Sequence, residues 1–248
     1  MTDFDKRVKP ETCVTDGCIN EPQCYIIGGE VVYSPLCASC QQDIEDRQER
    51  EFQRQAFRTA TEERWREMGI PRLYFEESFM TFEQNHGNAL AYEICCEYAE
   101  RFEAGRTSGG IILLGSTGCG KTHLACSILK AAGTGYLVNQ HRLLDDQRAL
   151  FAKNWENVQG HLERCKIESL LVLDDIGSEN AQEPTMMWIR DMMYGIANTR
   201  VEEKLPTIVT ANTTMQEFTA RLGKRVVSRL ASNAAIVSIT DKDHRTGF

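Results

Sequence analysis

A chain of 248 residues with 42% apolar and 26% charged residues has the composition of a globular protein, with room for one large domain or one domain plus a small module. No apolar run approaches the roughly 20 residues needed to span a bilayer. Residues 1–10 are charged and lack an apolar core, so no secretory signal is expected and the cytoplasm is the expected compartment. The formal charge of −8 argues against a wholesale nucleic-acid coat. Contact with nucleic acid would need a local basic cluster, or basic groups lined up by assembly of several subunits.

The ten cysteines are unusual for a chain without an export signal, where clustered cysteines suggest metal rather than disulfides. Cys13, Cys18, Cys24, Cys37 and Cys40 fall at the start of the chain. Between them Gly28-Gly29 separates two β-prone runs, Cys24–Ile27 and Glu30–Tyr33, which is a hairpin signal. Cys13-x₄-Cys18 and Cys37-x₂-Cys40 bracket that hairpin and can bring four thiolates around one tetrahedral Zn²⁺. So short a module cannot build a sufficient core alone, and a metal would stabilise it. Cys24 opens a strand and is read as a packing residue, with a Cys18/Cys24 exchange left open. Cys95, Cys96, Cys119, Cys126 and Cys165 are scattered and read as small buried hydrophobes. Residues 42–68 are highly charged, with a weak apolar stripe through Ile44, Phe52, Phe57, Trp65 and Met68. They predict a long helix ending at Gly69 and Pro71, either a connector that binds a partner or a solvated helix. The expected domains are a zinc-binding module (1–41), a helical linker (42–72) and an α/β domain (73–248).

From about residue 75 apolar runs alternate with helical stretches. Helices are expected over 89–102, 121–132, 141–165 and 183–203, with two short ones near 214–221 and 223–231. Strands are expected at 111–114, 136–138, 169–173, 207–210 and 235–239. Strands separated by helices imply a parallel sheet covered on both faces. The first of these strands runs into Gly115-Ser116-Thr117-Gly118-Cys119-Gly120-Lys121-Thr122. The glycines permit positive φ and let the backbone approach phosphate oxygens at the positive end of the next helix. Lys121 should reach the β- and γ-phosphates of ATP, and the Thr122 hydroxyl should ligate Mg²⁺. His123 is counted with these nucleotide-binding residues. The run Leu170–Leu173 ends in Asp174-Asp175. Acids at a strand's C-terminal end lie beside the phosphate loop in such a sheet. Asp174 would hold magnesium, largely through water. Asp175 would orient the attacking water as base.

Four segments, in order and spacing, carry a resemblance: Gly115–Thr122, Leu170–Gly177, Pro206–Asn212 and Arg225–Leu230. Together they resemble the AAA+ ATPase domain of replicative-helicase loaders of the DnaC/DnaI type, with DnaA and the IstB transposition ATPases as close relatives. The likeness covers roughly residues 70–248. It implies a P-loop AAA+ fold and an ATPase whose turnover is slow and modulated by DNA and partner. It also implies that Asn212 is the polar sensor of the γ-phosphate. Arg229 would be the arginine finger reaching a neighbouring subunit's ATP, with Arg225 as its rival, and Arg245 the second sensor. Some loaders carry Asp-Glu where this chain has Asp174-Asp175, which would make Asp175 a slower base. The sequence stops soon after Arg245, so the small helical lid of many AAA+ proteins is expected to be absent or minimal.

The resemblance places an extra helical insertion at 141–165, facing single-stranded DNA, with Arg142, Arg148, Lys153 and Lys166 as candidate contacts. It further implies self-association into an oligomer, no membrane, and a hexameric replicative helicase of the DnaB type as partner, gripped by residues 1–68. Two rival functions stand beside this one: an IstB-like ATPase that activates a transposase on DNA, and a non-hydrolysing adaptor switched by ATP.

Overall fold

The computed structural model describes residues 13–15, 18–27, 29–107, 109–151, 155–177 and 185–240, with the backbone alone at 146–151 and 155–159. The chain divides into two compact units at Glu62/Glu63.

In the first unit, β1 (Cys24–Ile27) and β2 (Glu30–Tyr33) form an antiparallel hairpin with Cys24 opposite Tyr33 and Ile27 opposite Glu30. Its turn places Gly29 at φ 89°, a conformation that glycine adopts without steric cost. Cys24 is exposed, which corrects its reading as a packing residue. The sheet has two strands only, and all four residues of β1 are exposed. The long charged helix is α1 (Ala38–Glu67), which begins four residues before the expected start and so takes Cys40 into its first turn.

In the second unit the end of α1 and two 3₁₀ turns, Arg72–Tyr74 and Phe79–Thr81, lead to α2 (Ala89–Glu103). There follow β3 (Gly110–Gly115), α3 (Lys121–Ala132), β4 (Tyr136–Asn139), α4 (Gln140–Phe151), α5 (Trp155–Ile167) and β5 (Leu171–Asp174). The chain continues through α6 (Thr185–Glu202), β6 (Thr207–Ala211), α7 (Met215–Leu222), α8 (Lys224–Ala231) and β7 (Ala234–Ile239). The sheet is parallel throughout, in the order β4-β5-β6-β3-β7.

Side chains alternate across this sheet, and each face has its own core. Ile111, Leu113, Val172 and Ile208 pack with Leu124, Ile128 and Cys95 on the side of α2 and α3. Ile112, Leu114, Leu173 and Val209 pack with Ile189, Met193 and Phe218 on the side of α6 and α7. Both faces being covered explains why these strands read as unbroken apolar runs. Four of the five scattered cysteines (Cys95, Cys119, Cys126, Cys165) are fully buried, while Cys96 is half-buried. Burial pushes the Cys126 thiol far up. Trp65 and Met68, expected on the linker stripe, pack into the first of these cores.

One cation is built into the interior. Arg200, at the last turn of α6, is 1% exposed. Its guanidinium donates to the carbonyls of Cys165, Lys166, Glu168 and Pro206 and to the Thr207 hydroxyl, at 2.7–3.3 Å. The planar fork gives a donor to the carbonyls at the end of α5 and just after it, and a second one to Pro206, which also accepts the Leu171 N–H. Burial lowers its pKa to about 10, still well above neutrality.

Candidate nucleotide-binding site

The loop between β3 and α3 is built from its glycines outward. Gly118 and Gly120 have φ of 76° and 92°. A Cβ on Gly120 would also lie 2.6 Å from the Phe82 ring, so this position excludes side chains on two counts. Gly120 caps α3 with no side-chain hydrogen bond. The leading N–H groups of the helix, which lack intrahelical acceptors, therefore face the loop. Lys121 is 5% exposed. Its ammonium donates to the carbonyls of Gly115 (3.1 Å) and Ser116 (2.6 Å) and lies 3.5 Å from Cys119 Sγ.

Across the sheet, the Thr122 hydroxyl donates to Asp174 Oδ1 at 2.8 Å. The two belong to α3 and β5, and β6 lies between β3 and β5. Thr210 of β6 donates its hydroxyl to the same Oδ1 at 2.7 Å. Asp175, just past β5, takes a left-handed φ of 55°. Its N–H donates to Thr210 Oγ1 at 2.8 Å, and its carboxylate accepts from Asn212 Nδ2. Asn212 follows directly on the last residue of β6. Burial raises the Asp174 pKa; the Thr210 and Thr122 hydroxyls oppose this and the Asp175 charge adds to it.

A cleft of about 460 Å³ runs along these residues. One wall is Thr117, Gly118, Gly120, Lys121 and Thr122, with Asp174, Asp175, Thr210 and Asn212 at its end. The opposite wall is Leu73, Tyr74, Thr81 and Phe82 from the 3₁₀ turns, which the sequence reading did not single out. That segment has no helical or strand period. Its one visible signal is the aromatic spacing of Tyr74, Phe75, Phe79 and Phe82. Phe82 stacks on Tyr92 at 5.6 Å and meets His123 edge-on at 5.1 Å. His123 lines the cleft, but its Nε2 is 2.7 Å from the Ser78 carbonyl and its Nδ1 is 3.1 Å from Glu77. Its ring thus holds the wall segment against α3.

Four carboxylates line this cleft (Glu77, Glu83, Asp174 and Asp175) against one lysine. A polyphosphate here needs a divalent cation to bridge it to the acids. The hard oxygens of Thr122 and Asp174 are the donor type that Mg²⁺ takes.

Arg225 and Arg229 do not line the cleft of their own chain. Arg225 lies 3.7 Å from the Tyr194 ring centroid on α6. Hydrogen bonding to Arg225, and then to Arg229, holds the Tyr194 phenol below its usual pKa. Of the basic residues on α4 and α5, Arg142 is exposed and Lys166 pairs with Glu163 at 2.7 Å. Arg245 and Lys153 lie outside the described residues, as does the Arg148 side chain.

In the first unit the sulfurs of Cys13, Cys18, Cys37 and Cys40 all lie within 4.8 Å of one another. Cys18 Sγ and Cys37 Sγ are 3.7 Å apart. Sulfurs at about 2.3 Å from a tetrahedral zinc stand roughly 3.8 Å apart. Cys24 is not in this cluster. The Cys37 N–H donates to Cys13 Sγ (3.3 Å), and Asn20 Nδ2 lies 3.8 Å from Cys37 Sγ. A hydrogen bond from Ser39 does most to bring the Cys37 thiol down to about 6. Cys40 is pushed up to about 12: its bond with Thr15 favours the thiolate, but Cys37, Cys18 and burial together outweigh it. Such a shared set of protons is displaced by a thiophilic cation, and the cluster is compatible with zinc.

A phosphate loop after the first sheet strand, an acid at the end of β5 and a polar residue after the intervening β6 define a P-loop domain of the AAA+ class. A family model described as IstB-like ATP binding protein matches residues 45–246. The chain belongs to that family, and ATP binding is its common property. Its catalogue of relatives points two ways. An insertion sequence IS232 putative ATP-binding protein of Bacillus thuringiensis subsp. berliner is 31% identical over 54% of this chain and 55% of its own length. The replicative helicase loader DnaC of Escherichia coli K12 is 28% identical over 65% of this chain and 66% of its own length. The matches thus span just over half and just under two thirds of these relatives. A crystal structure of the DnaC helicase loader superposes with a TM-score of 0.60 at 25% identity, covering 68% of this chain and 100% of that chain. No helix among the described residues is long and apolar enough to cross a membrane.

Proposed function

We propose that the protein is an ATP-hydrolysing loader for a hexameric replicative helicase, placing it on single-stranded DNA in the cytoplasm. The observation that carries the ATPase half is the hydrogen-bonded line Thr122–Asp174–Thr210–Asp175–Asn212 at the end of the phosphate loop. Gly115, Ser116, Thr117, Gly118, Cys119 and Gly120 supply backbone amides to the phosphates, and Lys121 leaves its loop carbonyls for the β- and γ-oxygens. Thr122 and Asp174 hold Mg²⁺, whose role is to neutralise charge on the transferring phosphoryl group. Asp175, held towards Asn212, accepts the proton of the attacking water, and Asn212 orients that water. Arg229 acts on the ATP of a neighbouring copy, a role supported by its absence from its own cleft. Arg245 is assigned to its own nucleotide by resemblance alone.

The loader half is supported by the likeness to DnaC and by the four-cysteine unit that precedes the ATPase domain in the sequence. Residues 1–68, with zinc at Cys13, Cys18, Cys37 and Cys40, grip the helicase. Oligomerisation aligns Arg142 and its equivalents toward DNA. The test is a pull-down of the host's replicative helicase by the full chain, with and without ATP, beside the same chain lacking residues 1–68. Capture that depends on those residues supports the reading; equal capture, or none, overturns it. Turnover compared with Asp175→Ala and Arg229→Ala tests hydrolysis separately. If wild type is no faster than Asp175→Ala with DNA and helicase present, the protein is an ATP-switched adaptor. The likeness to an insertion-sequence protein favours a second reading, activation of a transposase on duplex DNA. Stimulated strand transfer without helicase capture would select it.

A further inference from the structure

We infer that Thr210 is a positioning residue for ATP hydrolysis, coupling the magnesium-holding Asp174 to the Asp175 base through one hydroxyl; the inference rests on the ATPase reading above. The register places it there. Leu173 of β5 pairs with Val209, and Leu113 of β3 pairs with Thr210. Adjacent strands are about 4.8 Å apart, so β3 and β5, with β6 between them, stand roughly 10 Å apart. Thr210 is the residue of β6 whose hydroxyl meets the end of β5 at this level, beside the direct bond from Thr122 to Asp174.

Thr210 is 1% exposed in a strand whose neighbours Ile208, Val209 and Ala211 are fully buried and apolar. A buried hydroxyl in such a strand is costly unless both its donor and its acceptor are used. Both are used here, and in one sense only. The single O–H donates to Asp174 Oδ1, and the oxygen accepts the Asp175 N–H. The main chain adds a third tie, since the Ile176 N–H donates to the Thr210 carbonyl at 2.9 Å. Thr210 therefore engages three successive residues, Asp174 at the end of β5 and Asp175 and Ile176 beyond it.

The consequence falls on Asp175. A non-glycine residue at φ 55° persists only where its surroundings over-determine it. The amides of Asp175 and Ile176, on either side of that strained linkage, are both held by Thr210. With the backbone fixed, the carboxylate is delivered to Asn212. Among the described residues Thr122 and Thr210 are the two hydroxyls on Asp174, and both go to Oδ1. Losing the Thr210 hydroxyl thus releases the Asp175 N–H, while the main-chain tie at Ile176 remains and Thr122 keeps Asp174 tied to the phosphate loop. The expected defect lies in the chemical step rather than in nucleotide binding.

The experiment compares wild type, Thr210→Ser and Thr210→Val in the full chain, reading kcat and KM for ATP and the affinity for a non-hydrolysable ATP analogue with Mg²⁺. Serine keeps the hydroxyl and should hold kcat within about threefold. Valine keeps the shape and should lose at least tenfold in kcat, with analogue affinity within about threefold. Wild-type turnover in the valine variant, or equal losses in serine and valine, overturns the inference, as does a loss confined to KM. If the valine variant does not fold, Thr210→Ala is read against Thr210→Ser by the same criteria. A wild type with no turnover at all removes the ATPase reading and this inference together, which is distinguishable from a fast valine variant that removes this inference alone.

Discussion

Thr122 at the start of α3 and Asp174 at the end of β5 share a hydrogen bond of 2.8 Å although β6 separates β5 from β3, the strand that leads into α3. The acid is buried, and the loss of water raises its folded pKa. A raised carboxyl pKa means that the folded chain holds this proton more tightly than the unfolded chain. The ionised form therefore counts against the fold. That cost is absent below the ordinary carboxylate range near pH 4 and grows as pH rises through the folded value. Asp174→Asn cannot ionise, and its amide oxygen can still accept from Thr122 and Thr210. It should be more stable than wild type at pH 7.5 by about 1 kcal/mol, or roughly 2–4 °C. The gain should vanish toward pH 3.5, and Mg²⁺-dependent ATP binding should weaken at least tenfold. Calorimetry across pH and nucleotide titration check this; a lower melting temperature at pH 7.5 contradicts it.

Gly120→Ala should impair the same site from the other side. Its φ of 92° and the Phe82 ring at 2.6 Å from a new Cβ act together. Strain at such a φ costs on the order of 1–3 kcal/mol, and displacing Phe82 disturbs the wall opposite the phosphate loop. Both a lower melting temperature and at least tenfold weaker ATP binding are expected. Combining it with Phe82→Leu, which makes room for the methyl, should recover part of the stability but not the φ strain. Full recovery in the double variant would show that the contact with Phe82 alone matters.

These two sites differ in how legible they were in the sequence. The phosphate loop and α3 follow from residue types with local jobs, and the structure has α3 over Lys121–Ala132 as the sequence implies. The hairpin strands likewise follow from two β-prone runs around Gly28-Gly29. Of the non-local relations, the nearness of Asp174 to the phosphate loop followed from the sheet class, and the others were not legible. Nothing local says that β6 inserts between β3 and β5, so Thr210 read as one more residue of a strand. Leu73, Tyr74, Thr81 and Phe82 come together only because irregular turns fold back on the loop. Arg200 was not singled out in the sequence, because its acceptors come from the end of α5, the turn after it and the start of β6.

Arg200 gives a prediction of stability without chemistry. Arg200→Leu leaves the carbonyls of Cys165, Lys166 and Glu168 without this donor, while Pro206 keeps its bond from the Leu171 N–H. Each buried orphan costs about 1–3 kcal/mol, and partial relaxation makes a total of roughly 3–5 kcal/mol reasonable. That corresponds to a melting temperature lower by about 10 °C or more. Arg200→Lys should recover little, since one ammonium cannot span acceptors arranged for a planar fork. Where the variant still folds, its ATP affinity should match wild type. A leucine variant within about 1 kcal/mol of wild type would contradict this account.

The cysteine cluster separates residues that spacing alone could not. Cys18 lies in the group of four sulfurs and Cys24 does not. Cys18→Ser should therefore lower bound zinc from one per chain to a small fraction, whereas Cys24→Ser should retain it. Among its described residues the first unit buries little apolar surface beyond Cys13, Pro22 and Cys37, with Ile19, Ile26 and Ile27 all exposed. Removing the metal should thus unfold that unit. The second unit has two packed cores of its own, so its melting and its ATP affinity should be unchanged by chelation. Metal analysis, amide exchange and nucleotide titration on the full chain, before and after zinc is stripped by a chelator that is then removed and Mg²⁺ restored, read all three quantities. Zinc retained in Cys18→Ser and lost in Cys24→Ser would move the site to Cys24. A chelator that destroyed ATP binding would mean that the phosphate loop depends on the metal unit for its fold.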